Sequence, residues 1–424
     1  MIQAVHSGEQ FDCVVIGGGP AGSTVSTLLA DHGHHVLLLE RAKFPRHHIG
    51  ESLMPQTYWV LKRLGMLSKL KASDFTPKES VQFVSSSGQD SQPYYFTDRD
   101  PNEWSVTWQV KRDRFDQMML DNAREHGVEV REGVRVKEVL FEGIRAVGVR
   151  AEADGSTRDI ACKVVIDATG VNALLSKQLG IREGEPGLKN AAVYAYWKGA
   201  KRDAGRNAGA TLVIYTPDKQ GWFWFIPLEN DLTSIGIVGK PPFLITGRGD
   251  DPLSILEEEI ARTPGIRRRL ESAERVTHAY VTSDFTYRAR RIAGDGWVLC
   301  GDAFGFLDPI YSSGVLLALK MGELTADTVH GALLENDLSG ERLGRHGPKV
   351  CRGMQLIRQL VYAFYEPNFS FGAFNRDHPQ HHDQVVRLLI GDVFDGDDFD
   401  EVFTRIRERV PLPEPIELEG SAGA

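Results

Sequence analysis

Apolar residues along this chain change their spacing several times, and each change marks an element. Phe11 to Ile16 is a short β-branched run, the pattern of a buried strand, and it breaks at Gly17-Gly18-Gly19-Pro20-Ala21-Gly22 before a helical stretch through Ala30. A second apolar run, His35 to Leu39, ends in Glu40-Arg41. Lys163 to Gly170 (KVVIDATG) and Trp297 to Ala303 (WVLCGDA) are two further strands running into small-residue turns, the latter followed by a helix from Gly314. Trp108 to Leu120 leads into an amphipathic helix. Between these segments, Glu79 to Trp108 and Ala191 to Val238 alternate and are rich in aromatic residues, which predicts strands of a separate sheet. After about residue 345 the pattern turns helical, and no internal repeat interrupts it.

One run stands apart. Gly221-Trp222-Phe223-Trp224-Phe225-Ile226-Pro227 puts two tryptophans two residues apart in a strand-like stretch, in a chain with only 7 Trp. Residues two apart in a strand share a face, so Trp222 and Trp224 would form a wide, stiff apolar wall able to separate two spaces. Two core tryptophans in an ordinary sheet are the plain alternative.

The opening strand, glycine turn, helix and strand form the βαβ unit of a nucleotide-binding fold. Gly17 makes the tight turn, Gly19 lets the backbone approach a pyrophosphate, and Gly22 allows close helix packing. The helix N-terminus offers free N–H groups to phosphate. Glu40, 18 residues after the last glycine, is placed to accept from a ribose hydroxyl and disfavours a 2'-phosphate. NAD and FAD share that motif. Asp302, at the turn after the WVLC strand, can accept hydrogen bonds from a polyol, which FAD has in its ribityl chain and NAD lacks, so the expected ligand is FAD. Asp302 can also cap a helix. Arg114 has two readings, a pyrophosphate ligand or an exposed helix arginine.

Bulk properties narrow the class. The 424 residues are 42% hydrophobic, enough for two or three subdomains. A net charge of -9 without a basic stripe argues against nucleic acid, and Arg267-Arg268-Arg269 reads as a solvated helix face. The four cysteines, Cys13, Cys162, Cys300 and Cys351, lack metal or secreted spacing and read as buried thiols in a reducing compartment. Met1 to Gln10 has no apolar signal region and no long apolar span occurs, so a cytoplasmic protein is expected.

Together the nucleotide fold, the Arg46 to Pro55 loop (RHHIGESLMP), the DATG strand, the GDAFGFLDPIYSSG segment and the WFWFIP run make the chain resemble the flavin-dependent halogenases. The likeness covers nearly the whole chain. W-x-W-x-I-P is its specific part, and the other motifs occur in flavin monooxygenases generally. The compact length and the helical end with Leu388-Leu389-Ile390-Gly391-Asp392-Val393 look most like enzymes that halogenate phenols or carrier-tethered pyrroles, rather than the longer tryptophan halogenases. The resemblance implies an α/β fold: a Rossmann-like FAD-binding domain of the hydroxybenzoate-hydroxylase and glutathione-reductase type (1–78, 105–190, 275–345), with an inserted antiparallel substrate-side sheet (79–104, 191–274), C-terminal helices (346–411) and a flexible tail (412–424).

It also implies site residues. Gly17, Gly19, Gly22, Glu40, Arg41, Arg46 and Arg114 would meet the cofactor from the first half of the chain. Asp167, Gly170, Gly301, Asp302, Pro309 and Gly314 would meet it from the second. The family's lysine is carried over to Lys78, although the family usually has glycine where this chain has Ser80. The halide site is carried over to the backbone N–H groups of Ser313 and Gly314, and Glu51 is a candidate supporting acid or a helix-start residue. His47 and His48 are given no catalytic role.

In the implied chemistry, reduced FAD from a separate flavin reductase reacts with oxygen to a flavin hydroperoxide, which chloride or bromide attacks. Hypohalous acid then passes Trp222, Trp224 and Ile226 to Lys78. The lysine either hydrogen-bonds it or carries the halogen as a chloramine. The substrate would be a phenol or pyrrole, free or on a carrier protein. An aromatic hydroxylase of the same fold, a flavin reductase of the geranylgeranyl-reductase type and a flavin-bearing binding protein without turnover are the rival readings.

Overall fold

The computed structural model describes residues 10–419 apart from 250, 284, 285 and 397. Its first unit is β1 (Gln10–Ile16), α1 (Pro20–Asp31) and β2 (Val36–Glu40). β1 lies parallel to β2 on one side and to the strand Ser156–Asp167 on the other. Both neighbours and the covering helices bury it, which is why its sequence is a near-continuous apolar run. The sheet continues outward to Trp297–Leu299 and Ala293–Gly294 at one edge and to Glu129–Glu132 at the other, and a hairpin, Arg135–Glu142 with Arg145–Ala153, extends the long strand Ser156–Asp167. α1 packs against the 22-residue helix Gly314–Glu335, so the two glycine turns that begin these helices open on the same side of the sheet.

The second sheet runs in the order Glu274–Arg275, Ala191–Lys198, Leu232–Gly239, Gly221–Pro227, Thr211–Tyr215, Ser80–Val84 and Tyr94–Tyr95, with Tyr280–Ser283 also paired to Ala191–Lys198. Two features depart from the expected domain. Thr211–Tyr215 and Ser80–Val84 are parallel, so the sheet is mixed, because a long crossover joins these two strands. Strand pairing also continues to Ser283, past the expected boundary at 274.

Alternation along Gly221–Pro227 divides the aromatic residues. Phe223 and Phe225 belong to a small core with Val193, Ile235 and Leu256, while Trp222, Trp224 and Ile226 belong to the large core shared with the nucleotide-binding domain. The tryptophan face is therefore the face turned toward the first domain.

Helices Gly347–Tyr365, Phe371–Asp377, His382–Ile390 and Asp400–Arg407 complete the chain. Residues 412–419 do not form the free tail expected from their Pro and Glu content. Arg358 Nη1 donates to Glu414 O (2.7 Å), Glu419 N donates to Arg290 O (2.9 Å), and Ile416 and Leu418 pack on the large core. Arg269 is likewise buried rather than solvated, paired with Asp90 at 3.0 Å. All four cysteines are free and buried. No helix among the described residues is long and apolar enough to cross a membrane.

Candidate active site

The first glycine turn has room for backbone only. Gly17 has φ +106°, and a Cβ there would meet Ala168 O at 2.5 Å; a Cβ on Gly22 would meet Gly17 O at 1.9 Å. Gly19 faces outward, 3.5 Å from the Arg46 guanidinium as measured from where its Cβ would be, and Arg46 is itself steadied by Asp116 (3.0 Å). A positive group thus lies over the start of α1, where Pro20 takes the first helical position without sacrificing an N–H. Glu40 accepts from Gly18 N (2.7 Å) and Ala42 N (2.8 Å), which fixes its carboxylate at the end of β2. Arg41 is exposed beside it.

Asp167 spends both oxygens on its own turn, accepting from Thr169 N (2.9 Å) and Leu175 N (2.7 Å), so it shapes the backbone there; Gly170 follows with φ +63°. Gly301, at φ +62°, packs against Ala21 of α1. Asp302 differs from both other acids. No group among the described residues hydrogen-bonds its carboxylate, and burial raises its pKa to about 7, with Arg112 opposing the rise. Arg112 and not Arg114 is the helix arginine on this side: it donates to Ile49 O (2.8 Å), Gly50 O (3.2 Å) and Asp116 (2.7 Å). Arg114 is held away by Asp74 (2.6 Å) and Glu229 (2.9 Å). Two residues along a helix rotate the side chain by about 200°, so Arg112 and Arg114 leave from nearly opposite faces.

The two tryptophans form a continuous surface. Their rings lie 6.4 Å apart, and Trp224 lies over Gly236 of the neighbouring strand, where a Cβ would sit 2.4 Å from the indole. Trp224 Nε1 donates to Ser234 Oγ (3.1 Å) and Trp222 Nε1 to Tyr365 OH (2.9 Å). Tyr365 comes from the helix Gly347–Tyr365, and its hydroxyl donates in turn to Asp308 Oδ2 (3.0 Å). Asp308 also accepts from Asn190 Nδ2 (2.7 Å) and Ile310 N (3.2 Å), fixing the turn that starts at Pro309. Ser312 then takes φ +59°, and Gly314 opens the long helix. Ser313 is 1% exposed and its Oγ has no hydrogen-bond partner among the described residues, while beside Gly314 only Phe306, at 3.8 Å, borders the space a side chain would fill.

At the opposite end of the tryptophan strand sits Lys78. It is 4% exposed and donates to Ser52 Oγ (2.8 Å) and Leu53 O (2.9 Å), with the Phe96 ring 5.6 Å away. No carboxylate among the described residues pairs with it, and burial lowers its pKa from 10.5 to about 7. Ser52 Oγ lies 2.8 Å from Thr211 Oγ1, and Thr211 precedes Leu212, the partner of Phe225, which puts it alongside Ile226. The strand therefore touches the 308–314 loop through Trp222 and Tyr365, and the lysine through Ile226, Thr211 and Ser52. Four residues at roughly 3.3 Å each span about 13 Å.

Glu51 does not start a helix; the next one begins at Thr57. It is buried against the sheet, accepting from Tyr196 OH (2.7 Å) with its second oxygen unpartnered, and burial raises its pKa to about 7. His47 stacks on Tyr280 (4.4 Å) and lies 3.1 Å from Tyr194 OH, and His48 is held at a pKa of about 4 by burial. Ser52, Arg112, Tyr196 and Tyr365 were not singled out for the site by the sequence. Ser52 falls in the Arg46 to Pro55 loop and Tyr196 in the aromatic-rich run Ala191 to Val238, but neither run says which side chain faces the site.

Residues 10–320 match a family model described as an FAD binding domain. A 1H-pyrrole-2-carbonyl peptidyl-carrier-protein brominase of Pseudoalteromonas luteoviolacea is 35% identical over 399 residues, covering 91% of this chain and 93% of that protein. The chain belongs to the flavin-dependent halogenases. The halogenase is also 29% identical to the corresponding chlorinase of Pseudomonas fluorescens, over 96% of this chain and 95% of that one. Its fold matches the solved flavin-dependent brominase Bmp2 with a TM-score of 0.86 at 30% identity, covering 94% and 98% of the two chains, and the myxobacterial chondrochloren halogenase CndH with 0.78 at 34%, covering 91% and 90%. The residues of this halogenase fit FAD. The glycine turn leaves backbone space under a guanidinium, and Asp302 keeps a carboxylate free for a hydroxyl donor.

Proposed function

We propose that this halogenase chlorinates or brominates an electron-rich aromatic ring of the phenol or pyrrole type, free or tethered to an acyl or peptidyl carrier protein. Reduced FAD comes from a separate flavin reductase, and bound at this site it supplies the electrons for reducing oxygen while halide is oxidised to hypohalous acid. The turn Gly17, Gly19 and Gly22 with the α1 N-terminus and Arg46 holds the pyrophosphate, Glu40 the ribose, and Asp302 the ribityl chain. Arg41, Gly170, Gly301 and Pro309 shape the edges of this cleft, and Asp167 the turn beneath it.

The backbone N–H groups of Ser313 and Gly314, at the start of a long helix, hold the halide. Trp222, Trp224 and Ile226 keep the aromatic substrate away from the flavin while the small hypohalous acid passes. Lys78 receives it. With a pKa near 7, the side chain is part amine and part ammonium at neutral pH. As ammonium it donates a proton to the oxygen that leaves the halogen; as amine it takes the halogen on Nζ and releases water overall. Glu51, a buried acid hydrogen-bonded to Tyr196, braces the sheet on the same face as the tryptophans.

One observation carries this reading: the tryptophan strand touches the 308–314 loop at one end and the pocket of an unpaired, buried lysine at the other. The carrier-protein halogenases among its relatives support the substrate class. The test is mass spectrometry of products from the protein with FAD, a flavin reductase, NADH, oxygen and mixed bromide and chloride over phenols, pyrroles and carrier-bound pyrroles. A halogen isotope pattern lost in Lys78→Ala, with continued consumption of reduced FAD, is expected. Oxygen insertion without halogen, or unchanged product in Lys78→Ala, would overturn it.

A further inference from the structure

Tyr365 lies on a C-terminal helix outside every nucleotide-binding motif, yet its hydroxyl sits between the tryptophan strand and the 308–314 loop. The direction of this contact is fixed by chemistry. An indole N–H can only donate, so Trp222 Nε1 donates to Tyr365 OH at 2.9 Å. The phenol has one proton, which then goes to Asp308 Oδ2 at 3.0 Å. Burial and the neighbouring Asp308 carboxyl keep the phenol well above its ordinary pKa, so the proton stays in place across working pH. Asp308 is fixed from two further sides, by Asn190 and by Ile310 N.

The same helix grips both partners a second time. Tyr311 OH donates to Leu360 O (3.2 Å), Tyr311 lies 6.3 Å from Phe364, and Phe364 meets Trp222 edge to face at 6.1 Å. Both the first tryptophan of the wall and the loop leading to Ser313 and Gly314 are thus referenced to one helix end. Of these contacts, the Tyr365 hydroxyl is the only one to hydrogen-bond wall and loop together among the described residues.

The geometry points to Tyr365 as a positioning residue that sets the passage between the halide loop and the tryptophan wall, and so decides how much oxidised halogen reaches Lys78 rather than escaping. This rests on the proposed halogenation at the same site. Without the bond Trp222 keeps an unpaired buried donor and can tilt, while Gly17, Arg46, Glu40, Asp302 and Lys78 make no hydrogen bond to Tyr365 among the described residues. The expected signature is therefore a change in partition and not in flavin turnover.

The experiment compares the full-length wild type with Tyr365→Phe and Trp222→Phe, each supplied with FAD, a flavin reductase, NADH, oxygen, bromide and an accepted aromatic substrate. Halogenated product is counted per reduced flavin consumed, and escaped hypohalous acid is captured by a β-diketone trap. Tyr365→Phe should consume reduced flavin within about twofold of wild type but give at least fivefold less product per flavin, the difference appearing in the trap or as peroxide. Trp222→Phe, which breaks the same bond from its other end but also reshapes the wall, should give less product per flavin as well, and the double variant should lose no more than Trp222→Phe alone.

A merely structural role would lower flavin turnover and product together and leave their ratio unmoved, which overturns the inference; so does independent, multiplying loss in the double variant. Should Tyr365→Phe fold but fail to bind FAD, the residue supports the cofactor site itself and the inference is overturned. A wild type that oxidises no halide overturns the function itself, whereas a halogenating wild type beside a fully coupled Tyr365→Phe overturns only the role of Tyr365.

Discussion

Replacing Lys78 with methionine keeps a long unbranched side chain in the pocket and removes its charge. Lys78 has no carboxylate partner among the described residues, and burial brings its pKa from 10.5 to about 7. A folded-state pKa below the unfolded one means that the unfolded chain holds more protons between these values, so wild-type stability rises with pH through that window. At one pKa unit per 1.36 kcal/mol, the charge burden on the fold is about 4 kcal/mol at pH 7 and about 2 kcal/mol at pH 9. The variant loses the bonds to Ser52 Oγ and Leu53 O, roughly 1 kcal/mol each. Lys78→Met should then be more stable than wild type by about 2 kcal/mol at pH 7 and about equal to it at pH 9. The lost hydrogen bonds shift both values together, so the change between the two pH values is the decisive quantity. Urea unfolding of both proteins at pH 7, 8 and 9 measures it. A stability difference flat to within about 0.5 kcal/mol would show that Lys78 titrates as an ordinary lysine and that its pocket is wet.

Trp224→Ala opens a large hole in the wall and should cost about 3 to 5 kcal/mol in denaturant unfolding; if the folded remainder begins to hydroxylate an aromatic substrate, the wall is what keeps substrate and flavin apart, and a stability loss with no new product argues for simple core packing. Gly22→Ala forces a Cβ to within 1.9 Å of Gly17 O, so FAD binding followed by fluorescence quenching should fall at least a hundredfold or the chain should not fold; tight binding would mean that the turn relaxes freely. Glu51→Gln should be stabilising at pH 8 and about equal to wild type near pH 4.5, because a folded pKa raised from 4.5 to about 7 gives the wild-type carboxyl a contribution that is full below 4.5, where it is neutral like the amide, and is lost as pH rises through 7; melting temperatures at the two pH values check the sign.

The βαβ unit, the two glycine turns and the alternating tryptophan strand were legible because their signals are local. A positive φ at Gly17, a contact that excludes a side chain at Gly22 and a period of two along Gly221–Pro227 all follow from a few adjacent residues. The mixed pairing of Thr211–Tyr215 with Ser80–Val84 was not legible, since it depends on which distant strand arrives beside it. The same holds for residues 412–419, whose composition suggests a frayed end until Arg290 and Arg358 supply backbone partners from elsewhere.

By itself the sequence determined that a nucleotide-binding unit and a strand with two tryptophans on one face coexist in one chain, and a family resemblance pointed to Lys78, because motif chemistry is carried by residue type and spacing. Tertiary structure alone decided that Arg112 rather than Arg114 turns toward Gly50, that Glu51 is buried against Tyr196, and that Tyr365 ties Trp222 to Asp308. These partners lie tens to hundreds of residues apart, and a hydrogen bond is a matter of a few ångströms and a direction. Burial likewise set the charge of Lys78, since the pKa of a side chain reports the water and charges around it and not the residues beside it in the chain.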